Sequence, residues 1–309
     1  MATASDPAAP ATPASPQPVV SMERIPDWLI THPELRKRGI TLHRPLQPFT
    51  VYRTDLYQEG PVHVVKAINP SRQEIAMYDL FDQLSGSPIS NHTIPHEIVR
   101  CDRPLLIMPF ASDVLDICSR STSSVLAVFD QILEGVEHLH RMRISHGDIF
   151  AFNVVSATAK DARLDARLTA GRVYLIDFES CQQFEHGPGV QDPVPLPNTH
   201  VDPPLAMKSF DPFSWDVYCL GMTLEFMVQS VFFDAPQESL PGILGLCVRW
   251  LQGNEAGCTS VCRCRPTVTR ARRVLTVVRW FARVGEFFTT IVTYPMTLFK
   301  PPRADRRRD

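Results

Sequence analysis

The chain of 309 residues lacks any apolar run of the roughly 18 residues that a membrane-spanning helix needs. Its closest stretch, residues 287–299, is short and is interrupted by Pro295. The opening residues, MATASDPAAPATPASPQP, also lack the basic segment and the apolar segment of a secretory signal. We therefore expect an intracellular protein, cytoplasmic or nuclear, whose cysteines are reduced thiols.

The eight cysteines lack the spacing of the common zinc sites. Cys258, Cys262 and Cys264 lie close together in the sequence, but with three residues and then one residue between them. These intervals differ from those of zinc knuckles and ribbons, and no histidine lies nearby. The spacing alone therefore does not favour a zinc site.

A strong overall charge is missing as well, since the net charge is -2. The balance is uneven, because residues 263–309 contain twelve Arg or Lys residues against three acids. This basic end is either solvated or docked on an acidic surface, which is then that of the same chain or one that carries phosphate or anionic lipid. No feature predicts specific binding to nucleic acid.

Composition and patterning divide the chain into four parts. Residues 1–24 are rich in Pro, Ala and Ser, which predicts a disordered N-terminal tail. Residues 25–110 contain five strand-like runs and one amphipathic helix, which predicts a small antiparallel sheet. Residues 111–283 read as mainly helical, and residues 284–309 as a basic C-terminal tail. The chain holds enough apolar material for a sizeable core, and we expect an α+β fold with two lobes joined at PFASD.

The helical part contains several more specific patterns. A long amphipathic helix is predicted over residues 123–141, and a very apolar, buried helix over FSWDVYCLGMTLEFMVQSVFF. NVV and VYLI should form a hairpin around the polar surface loop TAKDARLDARLTAG. Asp216 falls inside the buried helix and therefore needs partners, for which backbone N–H groups of a neighbouring loop are suited.

Three polar residues are predicted to lie on loops that follow secondary structure: Asp148, Asn153 and Asp177. One carboxylate of such a set can accept a hydroxyl proton, while the amide and the other carboxylate offer hard oxygen ligands to Mg²⁺. Lys66 ends an apolar strand, so its amine either extends to solvent or meets an anion. Glu74 has two possible partners, because it either caps a helix with Ser71 or forms an ion pair with Lys66.

In order along the chain, Lys66, Glu74, IMPF, HGDIFAFN, IDFE, DVYCLG and RPT resemble the motifs of the eukaryotic protein-kinase-like superfamily. The resemblance covers about residues 35–280 and is greatest to divergent fungal protein-kinase-like proteins. It implies a two-lobed fold that uses ATP and Mg²⁺ to phosphorylate a protein hydroxyl.

The resemblance also implies a role for each matched residue. Lys66 would contact the α and β phosphates and pair with Glu74, while Met108 and Phe110 would lie at the adenine pocket and its hinge. Asp148 would be the catalytic base, and Asn153 and Asp177 would hold Mg²⁺. Asp216 would brace the catalytic loop through backbone amides.

Several positions depart from the family pattern. No glycine-rich loop exists, since LHRPLQPFTVYR places Pro45 and Pro48 where glycines would let the backbone approach the phosphates. Gly147 replaces the usual Arg before the catalytic Asp, so we predict no switch that depends on activation-loop phosphorylation. Glu179 replaces a flexible Gly and adds a carboxylate near the metal. Residues 203–205, Pro-Pro-Leu, replace Ala-Pro-Glu, so Arg265 would need another partner.

Three functions are therefore compatible with the sequence. The first is a Ser/Thr-type protein kinase, because all three groups that touch metal or hydroxyl are present. The second is a pseudokinase that binds or scaffolds with little turnover, which the missing glycine loop favours. The third is a small-molecule kinase, since HGD followed by Asn153, and the acid Glu179, also resemble aminoglycoside and choline phosphotransferases. DVYCLG and RPT favour the protein-kinase type.

Overall fold

An antiparallel five-stranded sheet forms the N-terminal part of the chain in the computed structural model, and helices dominate the C-terminal part. The arrangement is α+β and is compatible with two lobes, as the sequence predicts. The structure describes residues 24–84, 90–195, 200–201, 208–233, 242–254, 258 and 260–298. The predicted disordered tail, except for residue 24, and residues 203–205 lie outside these ranges.

Two short helices, α1 and α2, precede the sheet in the sequence, and helix α3 lies between β3 and β4. In space, the strands are arranged in the order β1-β2-β3-β5-β4. The bounds are α1 Asp27–Ile30, α2 Pro33–Lys37, β1 Leu42–Gln47, β2 Val51–Thr54, β3 His63–Ala67, α3 Glu74–Leu84, β4 Glu97–Val99 and β5 Leu105–Pro109. All pairings are antiparallel, and in the pairing of β3 with β5 Val64 lies opposite Met108 and Lys66 opposite Leu106. The prediction of a small antiparallel sheet is confirmed.

The two faces of the sheet have different neighbours because successive side chains of a strand point to opposite sides. One face packs under α1 and α2 in a small core that includes Leu29, Leu35 and Val65. The other face carries Val64, Lys66, Leu106 and Met108 toward the helical part. The strand periodicity therefore places the lysine on the face where a cleft forms.

The helical part contains five helices and three small antiparallel sheets in its described ranges. The helices are α4 Thr122–Arg141, α5 Ala159–Leu164, α6 Pro212–Val231, α7 Gly242–Gln252 and α8 Val268–Leu298. The sheets are β6-β8-β9, β7-β10 and β11-β12, from strands β6 Ser112–Asp113, β7 Ile144–Ser145, β8 Val154–Ser156, β9 Val173–Leu175, β10 Gln182–Gln183, β11 Val194–Pro195 and β12 Ser209–Phe210. Single 3-10 turns span Val114–Ile117, Ala151–Asn153 and Phe178–Ser180.

The long amphipathic helix and the buried helix are confirmed as α4 and α6. The seven apolar positions that the helical period predicts for α4 are all buried: Val125, Val128, Phe129, Ile132, Leu133, Val136 and Leu139. The β8–β9 hairpin is also confirmed. Among the helices of the described ranges, none combines the length and the apolar character that crossing a bilayer requires.

One local prediction is wrong, and one open alternative is decided. The polar stretch between β8 and β9 contains helix α5, which starts with a reciprocal capping box between Thr158 and Asp161. At the other candidate capping box, Ser71 donates its hydroxyl to Asn69 instead, at 2.8 Å. Glu74, the second half of that pattern, binds Lys66.

Helix α8 is longer than the sequence predicts. Residue 284, where we expected a basic tail to start, lies inside this helix, which continues to Leu298. Its Arg272 binds Asp130, Glu134 and Glu137 of α4 at 3.4, 2.6 and 2.8 Å. Part of the basic end therefore docks on an acidic surface of the same chain, which was one of the alternatives.

These contacts shift the pKa values of the acids on α4. Burial by itself would raise the pKa of Glu134 and Glu137. Hydrogen bonds from Arg272, together with contacts to His92 and Arg141, outweigh burial and lower both pKa values. Both glutamates are therefore ionised at neutral pH, and their charge helps to hold α8 in place.

The segment between α3 and β4 is attached to strand β9 of the helical part. Leu175 donates its N–H to the carbonyl of His92 at 2.7 Å and accepts one from Ile94 at 3.3 Å. The His92 ring contacts the Val173 carbonyl at 2.7 Å and Glu134 at 3.3 Å. The sheet is thus linked to the helical part both by the chain after β5 and by this attachment.

Candidate functional site

A pocket of about 700 Å³ lies between the sheet and the helical part. Its apolar wall is formed from both sides, by Val51, Val64, Leu106, Met108, Val155 and Ile176. Its polar lining includes Lys66, Asn153 and Asp177. A pocket with apolar walls that also contains a lysine, an amide and a carboxylate suits a ligand with one aromatic end and one anionic end.

Lys66 lies at the polar end of the pocket and binds two carboxylates. Its Nζ is 2.8 Å from Glu74 and 2.8 Å from Asp177, and Lys66 and Glu74 are only 6% and 1% exposed. Glu74 is the first residue of α3, so the start of this helix positions the pair. The sequence leaves two partners open for Glu74, Ser71 and Lys66, and in the structure Glu74 pairs with Lys66.

The charges around Lys66 do not balance. Burial by itself would lower the pKa of Lys66, but the charges of Glu74 and Asp177 outweigh burial and raise it. Burial raises the pKa of Glu74 despite Lys66, and the nearby charges of Asp177 and Glu179 reinforce that shift. Arg72 pairs with Glu179 at 3.3 Å, so two cations face three carboxylates and one negative charge is left over.

Asp177 and Glu179 occupy a tight turn directly after β9. Asp177 has a left-handed backbone conformation, with φ 62°, which Asp adopts more readily than most residues. Burial by itself would raise its pKa, but the charge and hydrogen bond of Lys66 outweigh burial and lower it. Between them, Phe178 is fully buried and packs edge-on against Tyr78 and Phe81 of α3, which fixes the turn.

The carboxylates of Glu74, Asp177 and Glu179 each offer an oxygen within 4.8 Å of the other two. Hard oxygen ligands and a local charge of about -1, counted from these three acids, Lys66 and Arg72, suit a divalent cation such as Mg²⁺. Asn153 lines the same pocket as Asp177, and since its amide N–H₂ is used by Asp148, its amide oxygen could serve as a neutral ligand. The donor set therefore fits the metal that the sequence implies.

A second loop, residues 146–153, is braced from below by Asp216. The fully buried Asp216 accepts backbone N–H bonds from His146 and Gly147, both at 2.9 Å, and contacts His140 at 2.9 Å. Trp215 donates its indole N–H to the Gly147 carbonyl at 2.9 Å. The expectation that Asp216 is satisfied by amides of a neighbouring loop is confirmed.

Gly147 occupies a position that a larger residue fits poorly. Its φ is +79°, and a Cβ placed there would lie 2.7 Å from the carbonyl oxygen of Ser180. The loop and the segment after Asp177 therefore approach more closely than any side chain permits. This contact gives a physical reason for glycine where the family pattern has Arg.

Asp148 lies in this loop, and both its carboxylate oxygens have hydrogen-bond partners. Asn153 donates to the Asp148 carbonyl at 2.8 Å and lies 3.3 Å from its carboxylate. His200 donates its backbone N–H to Asp148 at 2.7 Å, and its ring Nδ1 is 2.6 Å from the other oxygen. A histidine from the segment after β11 thus covers the carboxylate that the sequence predicts to be a base.

Asp148 faces a second pocket of about 490 Å³. This pocket is lined by Arg72, Asp148, Glu179 and Gln182, and Asp177 lines both pockets. A group bound at the polar end of the first pocket therefore meets a group bound in the second pocket near Asp177.

The cover over the first pocket is the β1–β2 hairpin, and it contains no glycine. Pro45 lies inside β1 opposite Tyr52, the pairing is irregular at two points, and Leu46 and Gln47 line the pocket. Phe49, in the turn, has φ 65°, a conformation that costs energy for a residue with a side chain. Side chains rather than bare backbone therefore cover this end of the pocket.

Arg265, whose usual acidic partner is missing from the sequence, finds neutral partners. It donates to the Gln252 carbonyl at 2.8 Å and to the Ser214 hydroxyl at 2.9 Å, and its guanidinium lies 5.3 Å from the ring centroid of Tyr218. These contacts tie the end of α7 to the first turn of α6.

The structure brings the predicted site residues together. Lys66, Met108, Phe110, Asn153 and Asp177 line the first pocket, Glu74 supports Lys66 from behind, and Asp148 lies in the adjoining second pocket. Sequence reasoning missed the apolar wall residues on β2 and β8, and it missed His200. The wall residues follow strand alternation and could have been found; a contact from a proline-rich loop carries no such signal.

No protein-family model matches this chain, and no curated protein matches it. The geometry of the two pockets is therefore the basis on which a function can be assigned.

Proposed function

We propose that this chain is an ATP-dependent phosphotransferase of the protein-kinase-like superfamily that phosphorylates a Ser or Thr hydroxyl of a protein. Residues 25–110 then form the N-lobe and residues 111–283 the C-lobe. The observation that carries the proposal is the position of Asp177, which lines both pockets and pairs with the buried Lys66.

The first pocket suits the nucleotide. Its apolar walls, with Met108 at the back and Phe110 at the edge, match the flat faces of a purine. Lys66 lies at the opposite end, where its charge can meet the phosphates. Its pKa is raised by its carboxylate partners, so it stays protonated at neutral pH.

Asn153 and Asp177 are the residues that would hold Mg²⁺, with Glu179 close enough to add a third oxygen. When bound, the cation would neutralise charge on the phosphates that Lys66 alone does not balance. Asn153 also donates to Asp148, so the residue that offers the ligand also positions the base.

Asp148 is the proposed base for a hydroxyl bound in the second pocket. The hydroxyl proton passes to the Asp148 carboxylate as the new O–P bond forms and the bond from the γ-phosphorus to ADP breaks. Asp216 keeps this loop in place through the two backbone N–H bonds at its base. Most of the catalytic effect would come from positioning and charge rather than from covalent chemistry.

A pseudokinase that binds nucleotide with little turnover is the second candidate. Two observations favour it: His200 engages both oxygens of Asp148, and the hairpin over the phosphates lacks glycine. A base that is occupied in the absence of substrate must be freed before it can accept a proton.

Nucleotide-dependent thermal shift followed by transfer of the γ-phosphate to a generic protein substrate tests the proposal. We expect ATP with Mg²⁺ to stabilise the wild type, Lys66→Met to weaken this binding, and Asp148→Asn to retain binding but lose transfer. Asp116→Ala is the control, because Asp116 is an exposed acid that lines neither pocket.

Each alternative predicts a different pattern. A shift without transfer would identify the pseudokinase, and transfer to a sugar or an amine but not to protein would identify a small-molecule kinase. No shift and no transfer, with Asp177→Ala indistinguishable from the wild type, would refute phosphotransfer altogether.

A further inference from the structure

A second group of ligand-type side chains lies in the segment after α7 and lines neither of the two pockets. Cys258, Cys262 and Cys264 each offer a sulfur within 4.8 Å of the other two. The Sγ of Cys264 is 3.4 Å from that of Cys258 and 3.5 Å from that of Cys262. The irregular sequence spacing thus gives a compact triangle of thiols in space.

The size of this triangle matches one face of a thiolate tetrahedron. With metal–sulfur bonds of about 2.3 Å, two sulfurs on a tetrahedral zinc ion lie about 3.8 Å apart. The two short sulfur–sulfur distances are within a few tenths of an ångström of this value. Small movements of the side chains would therefore suffice to place all three sulfurs around one ion.

Arg265 places hydrogen-bond donors next to two of the three sulfurs. The backbone N–H of Arg265 points to the Cys262 sulfur at 3.4 Å, and Arg265 Nη1 lies 3.5 Å from the Cys258 sulfur. Three thiolates around a dication leave one negative charge, which the buried guanidinium of Arg265 balances. Donors of this kind both orient the sulfur ligands and stabilise their charge.

The triangle is also anchored to a rigid element. Asp211, the N-cap of α6, accepts the backbone N–H of Cys262 at 3.0 Å and donates its own N–H to the Cys258 carbonyl at 2.9 Å. Cys264 is exposed, and the neighbouring surface pocket is lined by Asn254, Ser260 and Arg263. The sulfurs are therefore both held in place and accessible from solvent.

We propose that Cys258, Cys262 and Cys264 form a binding site for one thiophilic divalent cation of the zinc class. Three thiolates supply three ligands, and water or an added ligand takes the fourth, solvent-facing position. The ion would tie the three cysteines to the N-cap of α6 through the backbone bonds of Asp211. This proposal is independent of phosphotransfer, because none of the three cysteines lines either pocket.

The metal content of the reduced full-length protein, measured by mass spectrometry after gel filtration, is the first test. We expect one zinc ion per chain in the wild type. After removal of the metal with a chelator under reducing conditions, titration with Co²⁺ should give a thiolate-to-metal charge-transfer band and the visible bands of a tetrahedral site, both saturating at one equivalent.

Variants distinguish this site from scattered thiols. Cys264→Ser changes an exposed residue and should fold, yet it should weaken Co²⁺ binding at least tenfold and alter the charge-transfer band; Cys262→Ser should do the same. Cys101→Ser is the matched control, because Cys101 is exposed and belongs to the N-terminal part, and it should bind like the wild type.

Three results would overturn the proposal. The first is a wild type that gives no charge-transfer band with Co²⁺. The second is a Cys264→Ser variant that binds Co²⁺ like Cys101→Ser. The third is protein that is isolated with a Cys258–Cys264 disulfide and no bound metal. The nucleotide-dependent thermal shift is measured separately, so failure here leaves the phosphotransferase proposal untouched, and the reverse also holds.

Discussion

Replacing Lys66 by Met should destabilise the protein strongly, and the structure gives the size of the effect. The Lys66 side chain is 8% exposed and lies 2.8 Å from a Glu74 side chain that is 1% exposed. Removing one member of such a buried pair costs about 3–5 kcal/mol, because the other charge is left without a partner. Asp177 is 31% exposed and is screened by solvent, and Glu74 can take up a proton, so we expect the lower end, about 3 kcal/mol.

A double-mutant cycle assigns this loss to the pair. The free energy of unfolding in urea, followed by tryptophan fluorescence, would be measured for Lys66→Met, Glu74→Gln and the double variant. If the two residues stabilise each other, the double variant should lose at least about 1 kcal/mol less than the sum of the single losses.

The control for this cycle is Lys37→Met. Its side chain is 78% exposed and lies 4.0 Å from Glu34, so the loss should be well under about 1 kcal/mol. If Lys66→Met unfolds like this control and the cycle shows no coupling, Lys66 is only a strand residue whose amine reaches solvent, and the argument for a phosphate-binding lysine fails with it.

Three further predictions concern other parts of the molecule. His200→Ala should raise the rate of phosphate transfer roughly fivefold, measured at saturating ATP, because the ring contact with Asp148, worth about 1 kcal/mol, is lost while the backbone N–H bond remains. Gly147→Ala should lower the free energy of unfolding by more than about 2 kcal/mol in the same urea assay, since left-handed backbone strain of about 1–2 kcal/mol adds to the contact with a carbonyl oxygen. Arg272→Ala should cost about 2 kcal/mol at neutral pH. That loss should shrink as the pH falls through the lowered pKa values of its glutamate partners on α4, because these are then protonated in the wild type too.

Each of these variants has a matched control in the chain. His186→Ala changes an exposed histidine and should leave the rate unchanged; an equal rise in both variants would contradict release of Asp148. Gly171 has a similar φ of +77°, but a Cβ added there would meet open space. Gly171→Ala should therefore lower the free energy of unfolding less than Gly147→Ala does. Arg273→Ala removes an exposed neighbour on α8, and a pH-independent loss in Arg272→Ala would contradict an electrostatic role.

Much of the fold follows from sequence periodicity, but local polar patterns are ambiguous. Two stretches show the same pattern of a hydroxyl residue followed three positions later by an acid. At Thr158 the acid, Asp161, caps its own helix and also binds Ser112. At Ser71 the acid, Glu74, lies beside a buried ammonium, which is a stronger partner than a backbone N–H. Only the tertiary contact decides between the two outcomes.

The same limit applies to the site. The motif residues are recognisable because each sits next to a strand or helix that the sequence predicts. The need for glycine at position 147 arises from the carbonyl of Ser180, and the cover on Asp148 from His200, both far away in sequence. The thiol triangle is a third case, since its sequence spacing argues against the arrangement that folding produces.

The attachment of residues 92–94 to β9 determines how the pocket can open for exchange of its contents. Gly135 of α4 lies so close to it that an added Cβ would be 2.8 Å from the Cβ of His92. Three elements therefore meet at one rigid pivot, and Asp177 follows β9 by only two residues. We expect the sheet to rotate about this pivot as a rigid body. The gap would then widen most at the tip of the β1–β2 hairpin, while the bonds between His92 and Leu175 stay intact and the link between Lys66 and Asp177 stretches.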